Sequence, residues 1–418
     1  MSFNPFDQKT RQISDTFMNW KQIDAKPYDK AVDDPFTKLR VILMNGAEYE
    51  AVGFSHRFNR TCNDNDVRRA LAMIRRSEQQ QQKLVSGLKP LDETILETTI
   101  SYEQLAVELT AILAQRESDE YVRRAFDFAL LEDFDHLYRY ADLMEMDMGI
   151  KAEKLVGGYT EIMPGRPTIS EHRSPNDEIR RFTNFKKANP LTALNINIIT
   201  AAEQQTMNYY MNIAGFYNNK LGRKLYNEIA MIEEQHVTHY GSLIDVNLSD
   251  YEQLVLHEYT ECFLYYSMYN DETNKNIKKI WEQCFEMELC HLAEAVRLLN
   301  KFDKKEWQQV LPKGEFPELL KFTSNVEYVR KAMRGIINVT AKNEDYVSIN
   351  ALEPEAEFYK YQEMLNSDVS NVASHAVICK YIDENGKDYR YEQSPHPIPE
   401  LANRKKDNTD VGRFTDRA

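Results

Sequence analysis

The sequence predicts an all-α protein built around three long helical hairpins, with a small α/β or irregular extension at each end. Three observations predict it. Apolar residues recur at three- and four-residue intervals through most of 64–85, 100–148 and 191–300. Short polar breaks, "RESDE", "YNNKLG" and "YNDETN", interrupt the two long stretches at matching places. One spacing of acids and histidines recurs three times across them.

Bulk properties narrow the class further. A chain of 418 residues with 42% hydrophobic content can bury a real core and allows one large or two to three ordinary domains. The longest mostly apolar run, near Leu191–Ala202, carries two asparagines and is too short for a bilayer, and "MSFNPFDQKT" has no signal character, so no membrane association and a cytoplasmic location are expected. A net charge of −14 argues against a nucleic-acid partner, because phosphate attraction needs clustered Lys and Arg. The five cysteines form no C-x-x-C pair, which excludes a zinc ribbon or a rubredoxin-type iron centre.

Taken in order, residues 1–98 read as an N-terminal extension. Short strands are expected at Leu39–Met44 and Tyr49–Phe54 around the turn-like "NGAE", followed by a helix from Asp64 to Val85 that stops at Gly87 and Pro90. Residues 99–305 hold the helical body: two amphipathic helices to Met148, a Gly- and Pro-rich connection over 149–190, and long helices over 191–300. Residues 306–418 read as a helix or two to about Lys342, then a polar tail with a β-hairpin turning at Asn385-Gly386, and a poorly ordered end.

The repeat carries the chemistry. Three histidines have an acid three residues before them: Asp133-x-x-His136, Glu233-x-x-His236 and Glu288-x-x-His291. Thirty residues before each of those acids stands a glutamate: Glu103, Glu203 and Glu258. With 66 acids in the chain, chance puts an acid at any one position about one time in six. Residues three apart share a helix face, and thirty residues let a helix run out about 20 Å, turn and return beside its partner. Each hairpin therefore offers two carboxylates and an imidazole to one level of a bundle. Two facing hairpins offer the ligand set that holds two iron or manganese ions. A lone Glu-x-x-His is more often a solvated pair, and it is the repetition that favours ligation.

Glu on one helix and Glu-x-x-His on the next, used twice, resembles the ferritin-like superfamily of di-iron carboxylate proteins, and rubrerythrins most of all. "AAEQQTMNYY", "IEEQHVTHY", "HEYTECFLYY" with its extra Glu261, and "EMELCHLAEA" are similar to the family's four helices in turn. The resemblance covers about 200 residues, mainly those of 100–148 and 191–300, and leaves both ends outside it. It implies a ferritin-like bundle, two iron ions (or manganese) as cofactor, and redox chemistry with peroxide, dioxygen or ferrous iron. With no cysteine cluster, electrons come from a separate donor or from the substrate. An oxygenase acting on an organic substrate and a non-catalytic metal-binding helical protein stand as alternatives.

Three half-sites are one more than a single centre uses. Topology pairs the first hairpin with the second across the long 149–190 connection, whereas ligand quality pairs the second with the third, since Asp133 is a methylene short and Glu132 is its alternative. The first pairing is preferred, with the third hairpin beside it; leftover hairpins meeting across a homodimer axis is the other arrangement. His239 and His257 are either outer donors to the site or structural. Tyr140, Tyr210, Tyr240 and Tyr265, like Cys284 and Cys290, are expected as core packing.

Overall fold

The computed structural model describes residues 3–165, 171–386 and 390. Among them are eleven α-helices: α1 (Pro35–Thr61), α2 (Asn65–Ser86), α3 (Ile95–Arg116), α4 (Glu120–Met148), α5 (Pro190–Ile213), α6 (Lys220–Gly241), α7 (Asp250–Asp271), α8 (Lys275–Leu298), α9 (Val326–Ile336), α10 (Glu357–Asn366) and α11 (Ala373–Asn385). A single two-stranded hairpin, β1 (Val339–Lys342) with β2 (Asp345–Ser348), accompanies them among the described residues. The protein is therefore all-α in class. No helix of the described residues is long and apolar enough to cross a membrane.

The chain divides into two compact units, each assembled from separated stretches. The first comprises the residues up to Glu93, Phe182–Gln205 and Ile244–Phe322; the second comprises Thr94–Arg181, Thr206–Leu243 and the residues from Thr323 onward. Helix α5 passes from one share to the other after Gln205.

In the first unit α1 and α2 form one antiparallel pair and α7 and α8 another, with α1 against α7 and α2 against α8, so the four close a ring. Their ends are set by local chemistry. Asp34 caps α1, with Pro35 preorganising its first turn; Asp64 caps α2 and Asn274 caps α8. Ser249 and Glu252 form a reciprocal capping box at α7. Helix α1 replaces the strands expected at 39–44 and 49–54. Leu39, Leu43, Met44, Ala47, Ala51 and Phe58 are buried at helical spacing, a period that overrides the turn-like Asn45-Gly46. Gly46 serves close packing instead: a Cβ there would lie 2.9 Å from Gln205 Cβ.

In the second unit α3 and α4 pair closely, α4 packs on α6, and α9 covers both α3 and α4 while α11 lies against α4 and α6. Thr94 and Glu97 form the capping box of α3, Asp119 caps α4, and Gly149 at φ 66° ends it in the left-handed region. Leu137, Tyr140, Leu225, Ile229, Val377 and Ile378 knit α4, α6 and α11 into one core. Two expectations for the C-terminal region are corrected here. The stretch before Lys342 ends its helix at Ile336 and becomes a strand, paired Lys342 with Asp345 around the left-handed Asn343. Asn385-Gly386 does not turn a hairpin: 373–385 is helical, and Gly386 at φ 76° is its stop signal. The expected disordered end lies outside the described residues.

Thr94 accepts from the Glu97 amide and so fixes the start of the helix that carries Glu103. Thr94→Ala is expected to destabilise the protein by about 1 kcal/mol, a fall in melting temperature of about 3 °C by calorimetry; no change would mean that the cap is dispensable.

Candidate metal centre

The second unit brings the first two half-sites together. Glu103 sits mid-way along α3, Asp133 and His136 share a face of α4, and Glu233 and His236 share a face of α6, all with no more than trace exposure. Glu103, Asp133, His136 and Glu233 each place a ligand atom within 4.8 Å of the others; Asp133, Glu233 and His236 do the same. Asp133 and Glu233 thus belong to both groups. His136 Nδ1 lies 3.0 Å from Glu233 Oε1 and 3.8 Å from Glu103 Oε2. His236 Nδ1 lies 3.2 Å from Asp133 Oδ1 and 3.5 Å from Glu233 Oε2. The two imidazoles stand 6.0 Å apart, nearly parallel.

The opposite nitrogens are held from behind. His136 Nε2 lies 3.3 Å from Glu171 Oε2, and Glu171 is clamped at 2.7 Å through each oxygen by Arg139. His236 Nε2 lies 2.8 Å from Glu132 Oε2, and Glu132 is bound by Arg173, whose Nε also reaches Glu178 at 2.6 Å. Each histidine therefore turns Nδ1 to the acid cluster and Nε2 to an arginine-anchored carboxylate, hydrogen-bonded for His236 and 3.3 Å away for His136, the kind of outer partner that sets tautomer and ring orientation in metal-ligating imidazoles. Glu132, considered a substitute for Asp133, serves as this outer partner.

Electrostatics show what the cluster lacks. Burial raises Glu103 well above the usual carboxylate range, assisted by Glu233 and Asp133, and His136 only partly offsets it. Burial also raises Asp133. Burial acts the same way on Glu233, but hydrogen bonds from His136 and His236 outweigh it and hold this acid at about 2. His136, pushed down by burial, is carried well above its ordinary value by Glu171, Glu233 and Glu103. Protons on Glu103 and His136 thus take the place of positive charge that the acids demand. Oε2 of Glu103 accepts no hydrogen bond, Asp133 Oδ1 and Glu233 Oε2 share the Nδ1 of His236 as their neighbouring donor, and the donor set suits iron or manganese: carboxylates with one imidazole in each group.

Glu203, the remaining residue of the second half-site, is buried on α5 three residues before that helix leaves the first unit's share. The third half-site belongs to the first unit. Glu258, Glu288 and His291 face α1 and α2 inside the first unit, where Glu48, Glu78 and Gln81 meet them. Helices α1 and α2 are a fourth hairpin that the repeat contained all along: Glu78 follows Glu48 by thirty residues, and Gln81 stands three later where the others have histidine. Requiring a histidine hid it. No sequence signal marked Glu171, Arg139 or Arg173, because outer partners follow no fixed spacing.

Other candidates resolve plainly. His239 Nε2 meets the Tyr346 hydroxyl at 3.0 Å, and burial with Arg180 and Arg173 pushes it well below its usual value, so it is a neutral structural residue. Tyr210 donates to Glu103 and stacks on Tyr140 at 5.5 Å, while Tyr265 donates to Glu48. Cys284 and Cys290 are buried thiols, raised by burial. Comparison with known protein families, with characterised proteins and with solved structures finds no match.

Two outcomes follow from this geometry. Glu171→Gln keeps the shape but weakens the partner of His136, and should lower affinity for ferrous ion roughly 10- to 100-fold in equilibrium titration. In metal-free protein, Glu48, Glu258 and Glu261 are raised well above their usual range, and Glu78 to about 8, burial being the main cause in each. Such acids favour the folded state while protonated, and that contribution is lost as pH climbs from the unfolded value through the folded one. His136 and His291, raised in the fold, lose theirs in the same direction, whereas Glu233 and Glu171, held at about 2, stay ionised throughout. Chelated protein should therefore melt on the order of 5 °C lower at pH 9 than at pH 5; a flat or rising midpoint would contradict it.

Proposed function

We propose that the cluster of α3, α4 and α6 is a dinuclear iron or manganese centre of ferritin-like type, and that the protein is an oxidoreductase acting on peroxide, dioxygen or ferrous iron in the manner of rubrerythrins or ferroxidases. The observation that carries this reading is the paired histidine geometry: each Nδ1 faces Asp133 or Glu233, and each Nε2 faces a carboxylate that an arginine anchors. Solvated helix faces have no use for such an arrangement.

Asp133 and Glu233, shared by both ligand groups, are the residues that would bridge, while Glu103 with His136 on one side and His236 on the other would terminate. By the thirty-residue spacing, Glu203 is the counterpart of Glu103 for His236. When bound, two adjacent ions supply a two-electron change to an O–O bond or accept electrons from ferrous substrate. The chain's own residues prepare the site for this. Arg139 and Arg173 neutralise the outer carboxylates, so it is the inner acids that lack a fixed positive charge. Burial excludes water from the reacting region and holds the Tyr210 and Tyr140 phenols well above their ordinary range, keeping a proton at Tyr210 Oη directed at Glu103. Electrons reach the centre from a separate donor or from the substrate, the cysteines being isolated thiols.

Metal analysis decides first. Protein reconstituted with ferrous ion should retain iron that Glu233→Gln combined with His236→Ala loses, at unchanged helicity by circular dichroism. Loss of peroxide on mixing with the reduced protein, at least tenfold faster than with that double variant, indicates peroxidase chemistry; ferrous oxidation under air without peroxide loss indicates a ferroxidase. Failure to bind iron or manganese would overturn the reading.

A further inference from the structure

The first unit carries a second cluster that the reading above does not use, and it is not a copy. Glu78 from α2 and Glu258 and His291 from α7 and α8 place ligand atoms within 4.8 Å of one another, all buried. Glu288 belongs to the same region, its Oε2 3.0 Å from His291 Nδ1. Both oxygens of Glu258 and both of Glu261 are buried and accept no hydrogen bond. Their nearest donors stand outside hydrogen-bond contact, His291 Nδ1 3.8 Å from Glu258 and His257 Nε2 3.6 Å from Glu261, so these two acids mark a ligand's place: an ionised carboxylate with no bonded donor or cation is strongly disfavoured in an interior.

The other half of the cluster is closed. Where the second unit has His136 and His236, α2 presents Gln81, a neutral amide with N–H donors instead of an imidazole lone pair. Gln81 Nε2 donates to Glu288 Oε1 at 2.5 Å, and Tyr265 donates to Glu48. Hydrogen bonds thus occupy one oxygen each of Glu288 and Glu48, acids that a second ion would need. The open half is also reachable: a cavity of about 80 Å³ is lined by Glu50, His257 and Glu261. Glu50 lies 3.2 Å from His257 Nδ1, and Glu261 lies 3.6 Å from its Nε2. Side-chain exposure falls from 28% at Glu50 to 14% at His257 and 1% at Glu261, a graded line of cation ligands from solvent to the buried acids.

We propose that the first unit holds a single divalent cation on Glu78, Glu258 and His291, with Gln81 and Tyr265 occupying the second position by hydrogen bonds. The chain then carries two unlike centres, one dinuclear and one mononuclear. Glu258 is the ligand whose two oxygens accept no hydrogen bond, and His291 supplies the one nitrogen.

Ions per chain decide it, counted by mass spectrometry on the full-length protein after anaerobic loading with ferrous ion and desalting. The wild type should hold about three ions, His291→Ala and Glu258→Gln about two, and Gln81→His about four. The second-unit variant Glu233→Gln combined with His236→Ala should keep about one, and Glu258→Gln added to it should remove that ion. A wild-type count unaltered by both His291→Ala and Glu258→Gln overturns the proposal, as does Gln81→His leaving the count unchanged. Circular dichroism on each variant separates lost ligands from lost fold, and Glu258→Gln, nearly isosteric, keeps the test open where His291→Ala does not fold. If first-unit variants each lose an ion while the second-unit double variant loses none, this inference stands and the dinuclear reading fails.

Discussion

Carboxylates buried between helices set the terms for everything else in this protein. Burial raises the energy of an ionised acid, and neighbouring acids raise it further, so such clusters persist only with compensating positive charge or protons. The second unit meets the requirement in layers. Arg139 and Arg173, fully buried, bind the outer acids Glu171 and Glu132; those orient the histidines; and the histidines meet the inner acids. Replacing any buried charge in such a chain leaves its partner uncompensated, which is why the loss of one member is felt by the next.

The first unit solves the same problem with fewer cations. Among the described residues no arginine is hydrogen-bonded to Glu48, Glu258 or Glu261; a tyrosine and a glutamine amide do part of the work instead. Burial pushes Glu48, Glu258 and Glu261 well above the usual carboxylate range, and an entering divalent ion would displace protons as it binds. Exchanging histidine for glutamine at one place in a thirty-residue repeat therefore changes more than a ligand. It turns a lone-pair donor into a hydrogen-bond donor and redistributes charge across the cluster.

What the sequence disclosed follows from which features have a period. Helices α3, α4, α6, α7 and α8 and five ligand candidates with fixed spacing, Glu103, Asp133, His136, Glu233 and His236, were legible because a helix repeats its face every three to four residues. Helix α1 was not, since Asn45-Gly46 carries a turn signature and only packing against Gln205 shows what the glycine is for. Asn385-Gly386 misled for a related reason: the left-handed glycine that turns a hairpin also stops a helix, and the dipeptide alone does not say which. Glu48, Glu78 and Gln81 kept the spacing but not the histidine, so the pattern was present in weaker form.

The arginine-anchored layer had no period at all, and its source explains why it matters. Glu171, Arg173 and Glu178 come from the connection between α4 and α5, which among its described residues has only short helical turns, at Ala152–Lys154 and Pro175–Glu178. Helices α3 and α4 adjoin in sequence and can pair early, but the connection must return onto them before Glu171 reaches Arg139 and Arg173 reaches Glu132. Closing so long a loop loses chain entropy that only the contacts at its end recover. Histidine orientation is thus completed only when this connection folds back over the 32 residues from Arg139 to Glu171 and the 41 from Glu132 to Arg173. A stretch that reads as a linker by composition is, in physical terms, the back wall of the candidate metal centre.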